Sequence, residues 1–166
     1  MEKTNPMRAL DRAGLSYNVH TYENGESMNG EEVALSLGEN PDQVFKTLVT
    51  VGKSKKGFVF LIPVNMELDL KKAAASVGEK SVEMMKSKEL LDQTGYVHGG
   101  CSPLCMKKEM RTVVDSSIQN FDTVYFSAGK IGLQIEMSSK DFLGYTKFKT
   151  ENISREPANV DRVQST

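Results

Sequence analysis

A chain of 166 residues, 39% hydrophobic and 26% charged, is long enough to bury a core as one domain without disulfide or metal staples. Its 21 basic and 22 acidic residues leave a net charge of −1. That balance excludes a generically basic nucleic-acid coat and leaves only local patches, at Lys53-Lys55-Lys56, Lys71-Lys72 and Lys107-Lys108 with Arg111.

In chain order, Asn5-Pro6 opens a first helix, with Asn5 as N-cap, Pro6 at the first helical position and Gly14 as the stop. Ser16 to Tyr22 alternates as a strand, and Asn24-Gly25 reads as a turn. A short helix is expected over Glu31 to Leu37, closed by Gly38. Asn40-Pro41-Asp42-Gln43 repeats the capping pattern, with Gln43 placed to reach back as in a capping box. The β-branched run Thr47 to Val51 is a strand, and the lysine-rich Gly52 to Gly57 is its hairpin turn. Phe58 to Val64 is apolar throughout, which predicts a strand buried on both faces.

Leu68 to Val77 has helical spacing and ends at Gly78. Ser81 to Met85 is a short strand, and Ser87 to Thr94 a helix before Gly95. The segment Tyr96 to Leu104 reads as a loop too short of side chains to join the core. Strands follow over Thr112 to Asp115, Thr123 to Ser127 and Leu133 to Met137, with a turn at Ala128-Gly129-Lys130. Ser139 to Tyr145 is a last short helix. The chain from about Glu151 is polar and expected to be disordered, so the domain is set at residues 1–153 and the tail at 154–166. The pattern predicts one α+β domain, a curved mixed sheet flanked by helices.

No stretch approaches the roughly 18 apolar residues of a membrane span, and nothing near Met1 resembles a secretion signal. The expected location is the cytoplasm, with no membrane partner. The two cysteines, Cys101 and Cys105, cannot build a disulfide framework, and with His98 they match no familiar zinc spacing. No metal and no cofactor are expected. Walker, GxGxxG, GxSxG and HExxH motifs are missing, and His20 and His98 are the only histidines, so a Ser-His-Asp machine is disfavoured.

Three features can carry chemistry. Lys46 sits between Phe45 and Thr47 where a short helix meets an apolar strand; it is either a helix-end lysine or an ammonium placed to hold a phosphate or oxyanion. Gly99-Gly100-Cys101-Ser102-Pro103 is either a tight turn or a backbone concavity that accepts an anion, with a nucleophilic Cys101 as a third reading. Gly129-Lys130-Ile131-Gly132 followed by the alternating Leu133 to Glu136 suggests a hairpin.

Taken together, His20-Thr21-Tyr22, Leu37-Gly38, Asn40 through Leu48, Leu68-Asp69-Leu70-Lys71-Lys72, Thr94-Gly95-Tyr96, Gly99 through Leu104 with Lys107-Lys108, and Gly129-Lys130 with Gly132-Leu133 resemble the YbaK family of tRNA editing proteins. That family is related to the editing domain inserted in many bacterial prolyl-tRNA synthetases. The likeness runs from about Met7 to Ile153. It implies a mixed sheet rolled toward a barrel and a cleft lined by Lys46, whose counterpart is needed for deacylation. The loop Gly99 through Pro103 is implied at the aminoacyl end, and Tyr22 and Thr47 at the same cleft. Two positions depart from the family: Asn29, before Gly30, replaces a frequent aromatic residue, and Gln134 replaces a frequent acidic one. Both are implied to line the substrate pocket.

The resemblance implies a deacylase that removes cysteine from Cys-tRNA(Pro), and from Cys-tRNA(Cys), with the substrate's own thiol attacking the ester. The alternatives are a water-dependent deacylase for alanine or another small amino acid, and a non-catalytic module that binds tRNA or a synthetase. The implied partners are the tRNA acceptor end and prolyl-tRNA synthetase, not DNA.

Overall fold

The computed structural model describes residues 2–23 and 29–158; the turn expected at Asn24-Gly25 lies outside them. Helix α1 (Asn5–Arg12) leads to β1 (Asn18–Thr21), α2 (Gly30–Ser36) and a 3₁₀ turn over Pro41–Gln43. Next come β2 (Phe45–Gly52), β3 (Gly57–Pro63), β4 (Glu67–Leu68), α3 (Leu70–Ser76), β5 (Val82–Met84) and α4 (Ser87–Thr94). The second half holds β6 (Arg111–Asp115), a 3₁₀ segment (Ser116–Asn120), β7 (Thr123–Ser127), β8 (Leu133–Ser138), α5 (Ser139–Thr146), β9 (Lys149–Glu151) and β10 (Ser154–Arg155).

The apolar run at Phe58 explains the architecture. β3 occupies the middle of a five-stranded mixed sheet of order β5-β2-β3-β6-β9, antiparallel to β2 and parallel to β6. Its side chains alternate between two cores. Val59 and Leu61 point into the larger one with Phe126, Ile135 and Phe142. Phe58, Phe60 and Ile62 face the second, with Ala73, Ala74 and Val77 of α3. A strand between two apolar layers needs no polar face, as its sequence predicts.

A second sheet, β1-β8-β7, is antiparallel. It meets the first where Val44 forms an isolated parallel bridge with Tyr125. A third, two-stranded sheet joins β10 to β4. The chain is therefore a mixed α+β domain, but among the described residues the strands stay in three sheets and close no barrel.

Several local expectations are corrected. Thr4, not Asn5, stands at the N-cap of α1, and its side chain makes no capping bond. Asn40 does cap, accepting from Asp42 N–H, but Gln43 does not reach back. Its amide donates instead to the Thr123 carbonyl and hydroxyl at 3.0 and 2.9 Å, tying the turn to β7. A complete capping box forms one element earlier, between Asn29 and Glu32. Helix α3 begins after Asp69, which accepts from Lys72 N–H, so Leu68 belongs to β4.

The tail is ordered further than its polarity suggests. Ile153 is fully buried, and one Asp115 carboxylate oxygen accepts from Ile153 N–H and Ser154 N–H at 3.0 and 3.1 Å. β10 thus pairs with β4 inside the stretch expected to be disordered from about Glu151. Asp115 is 4% exposed, so Asp115→Ala would strand two buried donors. We expect a loss of about 2–4 kcal/mol in denaturant unfolding, with the region after β9 first to lose hydrogen-exchange protection.

Candidate active site

Strand β2 pairs with β3 from Phe45 to Val51, whereas β5 pairs only with Thr50, Val51 and Gly52. The edge of β2 around Phe45–Leu48 is left without a ladder partner on that side. A cleft of about 500 Å³ opens there, a size suited to a small ligand. Residues on both faces of the strand can reach it from the edge, and Lys46 and Thr47 both line it.

Lys46 is half-buried, and burial lowers its pKa from the ordinary lysine value while the carboxylates of Glu67 and Glu31 act to raise it. No carboxylate lies within ion-pair distance of it among the described residues. An ammonium stripped of part of its water and given no partner favours an incoming anion or oxyanion. The Thr47 hydroxyl oxygen beside it is buried and likewise has no hydrogen-bond partner.

The opposite wall comes from the loop after α4. Tyr96 is buried and donates its hydroxyl to the Leu104 carbonyl at 2.5 Å, which pins the loop across its base. Gly100, Cys101, Ser102, Pro103 and Leu104 are all buried. The expectation that this loop stays outside the core is wrong, because a short loop with a buried tyrosine anchor packs as core. Gly99 adopts φ +87°, and a Cβ on Gly100 would sit 3.0 Å from the Ile131 nitrogen and 3.3 Å from the Lys130 carbonyl carbon. The paired glycines therefore let this loop press against the Lys130-Ile131 turn.

Gly99 and Cys101 line the cleft; Gly100, Ser102 and Pro103 do not. Gly100 N–H is taken by the Val97 carbonyl, and the Ser102 hydroxyl accepts from Leu104 N–H. Burial pushes the Cys101 thiol up to about 12, so it stays protonated near neutrality and is no nucleophile.

Tyr22, Asn29, Gly30 and Gln134 also line the cleft. Asn29 is there as the N-cap of α2, and a Cβ on Gly30 would fall 2.7 Å from the Val64 side chain, so the helix can sit this close only with glycine. Gln134 is 4% exposed and donates to Glu39 at 2.9 Å. Burial raises the Glu39 pKa. An acidic group absent from position 134 therefore stands directly behind it. Glu39 escaped the sequence reading, as did Met84 and Met85 on the cleft wall; nothing in their local spacing marks them. His98 and Ile131 also line the cleft, though from sequence the first is weighed only against a metal site or catalytic triad and the second only as part of a hairpin. His20 is not at the cleft. Its ring bonds to Glu136 at 2.7 Å and packs on Tyr125.

The family model for the aminoacyl-tRNA editing domain matches residues 24–145. The chain belongs to the aminoacyl-tRNA editing domain family. It is 42% identical over 146 residues to EbsC of Enterococcus faecalis, named as a candidate Cys-tRNA(Pro)/Cys-tRNA(Cys) deacylase, with 87% of this chain and 89% of that one covered. It is 26% identical to the uncharacterized YwhH of Bacillus subtilis, covering 67% and 70% of the two chains. A solved structure of a candidate trans-editing enzyme for prolyl-tRNA synthetase superposes with TM-score 0.77 at 22% identity, over 93% of this chain and 99% of that one. A hypothetical protein superposes with TM-score 0.81 at 21% identity, covering 89% and 97%. These two show the shared fold.

Among the described residues no group of three or more His, Cys, Asp or Glu side chains is placed to hold a metal ion, and no helix is long and apolar enough to cross a membrane. Cys101 is buried and Cys105 exposed. Mass spectrometry after brief iodoacetamide treatment of the folded protein should find Cys105 modified well ahead of Cys101, with the difference abolished in denaturant.

Proposed function

We propose that this chain deacylates misacylated tRNA in trans, with cysteine on tRNA(Pro) as its main substrate and cysteine on tRNA(Cys) as a second. The observation that carries the reading is that Lys46, Gly99 and Cys101 line one cleft. The 42% identity to EbsC, named for these substrates, supports the choice of amino acid. The cytoplasm, where tRNA is charged, is the expected place of action, and prolyl-tRNA synthetase the expected partner for tRNA selection.

The chemistry suits a cleft without an activated nucleophile. The cysteinyl thiol loses its proton, and its sulfur attacks the ester carbonyl carbon. A C–S bond forms and the carbonyl oxygen becomes an oxyanion. On collapse the 3′ oxygen of the terminal ribose leaves with the bonding pair and takes up a proton, giving a thiolactone and free tRNA. The nucleophile is already tethered, so part of the entropic barrier is removed; well-oriented intramolecular attack is worth up to roughly 7–11 kcal/mol, less for a strained ring. A free thiol with pKa about 8.5 supplies a few per cent thiolate at neutral pH. Lys46 anchors the terminal nucleotide or its phosphate, and the N–H groups of Gly99 and Cys101 meet the oxyanion. Tyr22, Asn29, Gly30, Thr47 and Gln134 bound the amino-acid side of the cleft. Gly100, Ser102 and Pro103 hold the loop in place from behind.

A water-dependent reaction on alanyl-tRNA is the second reading, favoured by one observation: His98, the one histidine on the cleft wall, could serve as a base.

Lys46→Ala should lower Cys-tRNA deacylation by at least about 100-fold, a few kcal/mol of transition-state stabilisation, with no loss of stability in the unfolding transition. Near wild-type activity would remove Lys46 from the mechanism. Alkylating the thiol of Cys-tRNA should stop its release by the native enzyme. Continued release at the same rate would favour water as nucleophile.

A further inference from the structure

At the far end of β2 the surface changes character. The β2–β3 turn exposes Lys53, Lys55 and Lys56. Two other segments converge on it. Lys53 N–H donates to the Ser81 carbonyl, and Ser54 binds the Glu79 carboxylate through its N–H and hydroxyl, which brings exposed Lys80 alongside. A Cβ on Gly57 would touch Met110, and Arg111, the next residue, is in register with Phe58 and donates to the Ser76 carbonyl. Lys53, Lys55, Lys56, Lys80 and Arg111 thus gather at one end of the five-stranded sheet, all exposed.

None of these cations forms an ion pair among the described residues. Glu79 is held by Ser54, which keeps its carboxyl below the usual range. Glu83 and Glu109 are the other carboxylates close by in sequence. In a chain of net charge −1, such a concentration is a local construction and not overall basicity.

Its position relative to the cleft gives it meaning. Lys46 and Gly52 lie on one strand, about 20 Å apart at the usual rise per residue. The exposed Met84, on the wall of the cleft, is in register with Thr50 on that strand, so one wall of the cleft extends along β2 toward the basic end. An RNA tail stacked at about 3.4 Å per nucleotide covers the interval in roughly six nucleotides. We propose that the basic end of the five-stranded sheet is the docking surface for the phosphate backbone of the RNA whose acylated terminus occupies the cleft. The proposal rests on the deacylase reading and adds where the body of the substrate lies. Phosphate contacts of this kind position without reading sequence, which leaves tRNA identity to a partner.

The test uses an uncharged acceptor-stem minihelix with a CCA tail, bound to the full chain and followed by fluorescence anisotropy across a KCl series. The variant Lys53→Gln/Lys55→Asn/Lys56→Gln should weaken binding roughly ten-fold or more. It should also flatten the slope of log K against log salt by about 2–3. Arg8→Gln/Arg12→Gln/Lys140→Gln, on α1 and α5, removes the same three charges as a control and should leave affinity and slope unchanged; neither variant should shift the melting temperature. With Cys-tRNA the triple variant should lose kcat/KM at unchanged kcat, while release from cysteinyl-adenosine, which lacks the stem, stays at the wild-type rate. An unaltered salt slope, or an equal loss in the control, would overturn the docking surface. So would a triple variant that keeps the minihelix but loses binding to polyglutamate, since the patch would then be a site for acidic protein. A flattened slope in a protein that releases no amino acid from any tRNA would leave the surface standing and remove the deacylase reading.

Discussion

The site is organised by a lysine ammonium that loses part of its water at an unpaired strand edge and receives no counter-ion in return. Burial works against the charge of Lys46, and Glu31 and Glu67 support it from beyond ion-pair range. Such a group is costly for the folded chain alone and favourable once an anion arrives. The rest of the architecture exists to present it. β5 stops short along β2, and the central position of β3 holds β2 rigidly from its other side.

The facing wall is set by the packing of one short loop. Tyr96 is driven into the core, its hydroxyl fixes Leu104, and two glycines permit contact with the Lys130-Ile131 turn. What reaches the cleft from this loop is Gly99 and Cys101, held in place by that packing. Burial keeps the Cys101 thiol protonated near neutrality. The polar pair Gln134 and Glu39 sets a carboxylate one layer behind the wall, so the chain keeps acidic character near the pocket although position 134 is neutral.

Much of this was legible in the residues. The apolar run of β3, the helix stops at Gly14, Gly38, Gly78 and Gly95, and the hairpin at Gly52 to Gly57 follow from local chemistry. Lys46 and the Gly99–Pro103 segment were singled out, but only their resemblance to an editing family joined them; spacing over fifty residues carries no distance information. The misses have physical causes. Hydrophobicity undervalued Tyr96 as an anchor and Ile153 as a core residue flanked by polar neighbours. Gln43 had a better partner on β7 than its own backbone. Glu39 acquires its role from a strand nearly a hundred positions away, and the basic end of the sheet assembles from three separate segments.

The account stands most directly on where an acylated adenosine binds. A non-hydrolysable amide analogue of 3′-cysteinyl-adenosine, titrated into isotope-labelled protein and followed by NMR, reads this at single groups. The account predicts shifts at the Lys46 side chain and at the Gly99 and Cys101 amides that saturate together with one affinity. Saturable binding that moves other surfaces and leaves Lys46 and those two amides unchanged would contradict it.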